Sequence, residues 1–220
     1  MRQKTFSSLG FEIHGKQTRR QRFLAEMDKI VPWGKLCRLI EPHYPQGHRG
    51  RPPIGVERML RIYFLQVWFN LSDPGAEDAL YDSAAMRGFV DIDLGREPAP
   101  DETTICKFRH LIEANGLGKT LFEAVNAHLS AKGIKVGTGS IMDATIIAAP
   151  SSTKNEVSKN RTKSRVRAYV EHPFRILKCV FGFRKVCYRG IAKNLNRLQI
   201  SFALVNLYMK RRTLIRYAMA

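Results

Sequence analysis

The sequence predicts a mainly α-helical protein interrupted by one strand, and three observations lead there. Apolar residues recur at helical spacing through most of the chain, a compact β-branched run at residues 140–149 breaks that rhythm, and helical character returns in a strongly basic last third. With 220 residues, 44% of them apolar, the chain has enough material for a real core in one large or two small domains.

Taken in order, Phe23, Leu24, Met27 and Ile30 fall on one helical face. Pro32 suits the opening of a second short helix, with Leu36, Leu39 and Ile40 inward. A polar loop at 44–53 precedes the most apolar segment, 54–71, whose Val56, Leu60, Tyr63, Phe64 and Val67 form one stripe and predict the central helix. Ser72, Asp73 and Pro74 end it and cap the next. Asp101 is placed to cap a helix over 102–113, with Ile105, Phe108, Leu111 and Ile112 inward and Gly116 as its stop. Leu121, Phe122, Val125 and Leu129 repeat the pattern. The strand follows, ending at Pro150. Residues 150–166 are rich in Ser, Thr, Asn and Lys without periodicity and read as a basic linker. Leu195, Leu198, Phe202, Val205 and Met209 then make a long apolar face, closed by Lys210, Arg211 and Arg212 as at a helix C-terminus.

The formal charge is +18 and the sequence pI about 10.2, which points to a polyanionic partner, with nucleic acid foremost. Its distribution is uneven. Residues 151–220 hold seventeen Lys/Arg against Glu156 and Glu171, whereas 1–150 hold twenty against seventeen acids. Arg61 interrupts the longest apolar stretch and the start lacks a signal-peptide pattern, so a cytoplasmic protein that crosses no membrane is the expectation. The four cysteines form no CxxC pair and sit in apolar contexts, as structural thiols do, and the histidines show no metal-binding spacing.

Two constellations bear chemistry. Asp143 lies inside the apolar strand, where a carboxylate must be paired, solvated at a sheet end, or metal-bound. Arg167, Glu171 and Lys178 fall within roughly 40° on one helical face, placing a carboxylate between two cations. They could form a metal-binding Glu beside phosphate-binding cations, or an ordinary surface ion pair. Pro173, inside the same stretch, threatens that alignment with a kink.

The run from Ser140 through Asp143 to Asn155 resembles the first-aspartate strand of DDE transposases in the insertion-sequence-five branch. Arg167, Glu171 and Lys178 match the last three positions of that branch's C-terminal signature, Tyr-x2-Arg-x3-Glu-x6-Lys, with Ser164 where the tyrosine would stand. The similarity continues through Phe181, Gly182 and the stretch from Tyr188 to Asn194. Arg49 to Pro53, and Asp101 through Arg109, also resemble the helical N-terminal region of the family.

This resemblance implies an insertion-sequence transposase: DNA binding, and transposition by Mg²⁺-dependent strand cleavage and transfer in an RNase H-like domain. Asp143 and Glu171 would be catalytic metal ligands, with Arg167 and Lys178 near DNA phosphates. The family pattern is broken at the middle carboxylate. No aspartate follows Asp143, Glu156 is the only acid before Glu171, and just 27 residues separate the two flanking ligands. That is too short for the missing strands, so the chain reads as internally shortened and inactive, with a metal pair short of ligands. The alternative is a non-catalytic DNA-binding remnant that regulates or inhibits intact transposase.

The expected fold is therefore mainly α, a helical N-terminal DNA-binding region (1–135) plus a remnant of an RNase H-like α/β domain. That remnant comprises the first catalytic strand (136–149), the linker at the deletion (150–166) and C-terminal helices (167–220). Arg49 and Arg51, flanking Gly50, resemble the core of AT-hook peptides that lie in a narrow minor groove; a solvated loop is the other reading. The implied partners are DNA, as terminal inverted repeats, and further copies in homo-oligomers or mixed oligomers with full-length transposase. Such a protein would be bacterial, cytoplasmic and nucleoid-associated.

Overall fold

The computed structural model describes residues 16–45, 47, 52–134 and 171–219. Among them the chain is mainly helical and contains no strand. The predicted strand (136–149) and linker (150–166) lie outside the described residues.

Helix α1, Arg19–Ile30, starts where the Thr18 hydroxyl accepts the Gln21 backbone N–H at 3.1 Å. It buries Leu24, Met27 and Ile30. Pro32 then opens α2, Trp33–Ile40, which tightens into a 3₁₀ turn at Glu41–His43. Helix α3, Val56–Phe69, is the axis of the core: Met59, Leu60, Ile62, Tyr63, Phe64, Leu65, Val67 and Trp68 are all buried. It ends at Asn70, whose left-handed φ of 49° is tolerated by asparagine better than by most residues. Ser72 caps α4, Asp73–Asp82, and Ser83 caps α5, Ala84–Val90. The Asp101 carboxylate accepts the Thr104 N–H at 2.7 Å and opens α6, Glu102–Ala114. Gly116, at φ 59°, both stops α6 and starts α7, Leu117–Ala131. Finally α8, Ile191–Met219, lies along α7 and α1 and also touches α3.

One apolar cluster joins all these helices. At its centre Trp68 meets Phe23, Phe64 and Phe89 edge-on, with ring centroids 5.4, 5.7 and 5.6 Å away. The charge that interrupts the apolar α3, Arg61, is only 15% exposed. It is held there by Asp28 at 2.7 Å and Glu57 at 2.8 Å, and its guanidinium stacks over Trp33 at 4.3 Å.

Two sequence expectations change. The run Lys210, Arg211, Arg212 does not close the last helix, because Leu214 behind it is buried and extends the apolar stripe for two more turns. Arg211 instead folds back over the Tyr208 ring at 4.0 Å and reaches Glu26 of α1 at 3.4 Å. The cysteines divide: Cys37 is buried, and burial, with Glu57 and Glu41 nearby, pushes its thiol up to about 11, whereas Cys179 and Cys187 are exposed. None of the helices among the described residues is long and apolar enough to cross a membrane.

The close crossing of α7 and α8 depends on Gly118. Its N–H donates to Asn196 Oδ1 at 2.7 Å, and a Cβ there would sit 2.7 Å from the Asn196 backbone oxygen and collide with its side chain. Because the obstacle includes backbone, it cannot rotate away. Gly118→Ala is expected to destabilise the fold by about 1–3 kcal/mol by forcing the two helices apart, even though alanine is the better helix former. A urea titration showing unchanged or increased stability would refute this contact.

Candidate nucleic-acid interface

Residues 171–219 carry eleven Lys/Arg and one carboxylate, Glu171, a net +10. The rest of the described chain, 16–45, 47 and 52–134, has fifteen of each sign and is neutral. The excess therefore belongs to one appendage on a neutral helical body, and the way that appendage is attached decides which cations face outward.

Residues 171–175 are helical despite Pro173, and Ile176–Val180 continue with π winding, closed by the Phe181 N–H donating to the Ile176 carbonyl at 3.1 Å. Ile176, Leu177 and Phe181 turn into the core, while Glu171, Arg175 and Lys178 are exposed. Of the residues selected from sequence, Glu171 and Lys178 thus lie exposed on one helical segment. Asp143, Arg167, Arg49 and Arg51 lie outside the described residues.

Between the π turn and α8, residues 181–190 are pinned at two places. Phe181 is fully buried against Tyr208. Tyr188 is the second anchor, lying between two guanidinium groups: Arg109 of α6, 4.6 Å from its ring centre, and Arg197 of α8, 5.3 Å away. Arg197 also donates to the Tyr188 hydroxyl at 2.8 Å and to Asn70 Oδ1 at 2.9 Å. Asn194 completes the hold by donating to the Tyr188 carbonyl at 2.6 Å. Burial raises the Tyr188 phenol above its ordinary value and the two arginines only partly offset this, so it stays neutral and accepts. With Phe181 and Tyr188 inward, Arg184, Lys185, Val186 and Arg189 point outward.

Arg109 links this anchor to the body. It donates to Asp73 Oδ2 at 2.8 Å and to Glu113 Oε1 at 3.0 Å, and Gln66 donates to Asp73 Oδ1 at 2.8 Å. Burial works to raise the Asp73 carboxyl, but the Arg109 and Gln66 hydrogen bonds outweigh it and hold it below the usual range. Sequence reasoning placed Asp73 only in a helix cap and assigned no site role to Arg109, Glu113 or Arg197. A signal existed: Arg109 sits on the same stripe as Ile105, Phe108 and Ile112, and Arg197 on that of Ile200 and Leu204, so each cation occupies a core position and requires a partner there.

The described residues do not fit a pair of Mg²⁺ ions. No three of their His, Cys, Asp or Glu side chains are grouped to hold a metal, and Glu171, the one predicted ligand among them, is an exposed single carboxylate.

Residues 11–111 match the family model described as Transposase domain (DUF772). The match takes in α1–α5 and most of α6, a little under half of the chain, and supports a transposase-related function. No solved structure matches the chain.

Proposed function

We propose that this chain is an internally shortened insertion-sequence transposase of the DDE type, which binds duplex DNA at element ends without cleaving it. The observation that carries the reading is the similarity of residues 11–111 to a transposase domain. The +10 appendage supplies the affinity for phosphate, and Glu171 and Lys178 are what remains, among the described residues, of the C-terminal signature of an RNase H-like domain. Asp143 and Glu171 are proposed as the two surviving metal ligands, with Arg167 and Lys178 beside the DNA. Two carboxylates leave a two-metal site short of charge, so polynucleotidyl transfer is lost while binding persists. Arg49 and Arg51 are proposed to reach the minor groove.

The test is a duplex carrying the element's terminal inverted repeats, titrated with the chain from about 50 to 200 mM salt. Affinity is expected to fall by about 10³-fold or more over that range, as for a protein that displaces six or more counterions. With Mg²⁺ added, nicking should stay at background. Absent or salt-insensitive binding would defeat the reading, and nicking abolished by Asp143→Ala would defeat the claim of lost catalysis.

A further inference from the structure

One group of exposed cations meets at a corner of the molecule, the turn at Phe69 and Asn70 that ends α3. The start of α1 reaches it from one side: the Arg20 guanidinium lies over the Phe69 ring at 5.2 Å, and Lys16, Arg19 and Arg22 around it are exposed. The loop after the π turn reaches it from the other side. A Cβ on Gly182 would touch Asn70 Cβ at 3.6 Å, the Cys187 thiol points to Asn70 Oδ1 at 3.8 Å, and Arg197 donates to that same oxygen. Since residues 182 and 187 both contact Asn70, the loop between them arches over the turn and displays Arg184 and Lys185, with Arg189 and Lys193 following.

The two segments, 16–22 and 182–193, hold eight Lys/Arg, namely Lys16, Arg19, Arg20 and Arg22 in the first and Arg184, Lys185, Arg189 and Lys193 in the second, and neither contains an Asp or Glu.

 The acids of the elements packed nearby are engaged elsewhere, Glu26 by Arg211 and Asp73 by Arg109. Val186 and Ile191, 60% and 88% exposed, stand among these cations, where apolar side chains can lie against sugars and base edges in a groove.

We propose that this corner, built from the start of α1 and the loop 182–190 with the first turn of α8, is a duplex-DNA-binding surface. The proposal rests on the transposase reading, which selects DNA among polyanions, and places the contact on residues other than Arg167, Glu171 and Lys178. Anchoring by Phe181 and Tyr188 presents the cations in a fixed arrangement, so little ordering is needed on binding.

Two variants of the full chain test it, Arg184→Ala/Lys185→Ala/Arg189→Ala/Lys193→Ala and Lys16→Ala/Arg19→Ala/Arg22→Ala, each first checked for native helicity and melting. Binding is read by anisotropy on a labelled duplex of about 30 base pairs across the same salt range. Each variant is expected to lose roughly tenfold or more in affinity and to flatten the plot of log K against log salt by up to ~0.9 per contact removed. Lys107→Ala/Lys119→Ala/Lys132→Ala, remote from the corner in sequence, should bind like the parent. If the parent binds duplex and both corner variants keep its affinity and slope, the surface is wrong and the transposase reading stands. If the parent itself does not bind, that reading falls first. A parent that prefers single-stranded RNA in competition would also overturn the proposal.

Discussion

Replacing Arg109 by methionine is expected to lower stability by about 3–5 kcal/mol, a large part of the roughly 5–15 kcal/mol that holds a typical domain together. The side chain is 8% exposed and bridges Asp73 and Glu113, themselves 18% and 8% exposed. Its removal leaves two carboxylates in the interior with no cation between them and removes the cation–π contact to Tyr188. Arg109→Lys should recover only part of the loss, because one ammonium cannot reach both carboxylates and lie flat on the ring. The dependence on pH distinguishes this from a packing defect. In the parent, Asp73 has a depressed pKa, so its contribution is fully present above the ordinary carboxylate value and is lost as pH falls through the depressed one. In the methionine variant burial acts without the Arg109 hydrogen bonds, the Asp73 pKa rises, and protonation relieves the buried charge. The gap between parent and variant should therefore narrow on acidification from pH about 7 to about 4. A loss under about 1 kcal/mol in urea titrations, unchanged with pH, would show that the network is only incidental to the fold.

How much of this was legible in the sequence differs by element. The central helix was readable because Leu60, Tyr63, Phe64 and Val67 share one stripe, and the starts of α4 and α6 because Ser72 and Asp101 are capping residues at the right offset. The extent of α8 was not, since a run of three cations looks like a terminus until Leu214 is seen buried beyond it. The winding of residues 176–180 was not legible either: an α-helical wheel over Glu171 and Lys178 assumes constant winding, and the π turn between them alters it. The candidate interface was legible as charge but not as place. Composition located the excess in the last third, whereas the approach of α1 to the loop at Asn70 joins residues more than 150 positions apart and leaves no periodic trace.

Phe181→Ala should join stability to binding. The ring is fully buried and meets Tyr208 of α8 edge-on, with centroids 6.0 Å apart, so its truncation is expected to cost about 3–5 kcal/mol through lost burial and an unfilled cavity. Its position adds a second consequence. Phe181 ends the π turn, and Gly182 follows at φ 69°, so the loop leaves the core at this point. With the ring gone, Tyr188 and Asn194 hold only the far end, and the cations of the loop must be ordered anew on each encounter with DNA. At a temperature where the variant remains folded, duplex affinity should fall several-fold although no charge has been removed, while the slope against log salt stays near the parent's because the phosphate contacts in the complex are the same. Loss of stability with parental affinity would mean that the loop needs no anchor at Phe181. A flattened slope would mean that contacts themselves are lost, and that the ring fixes which cations reach the backbone as well as how readily they do so.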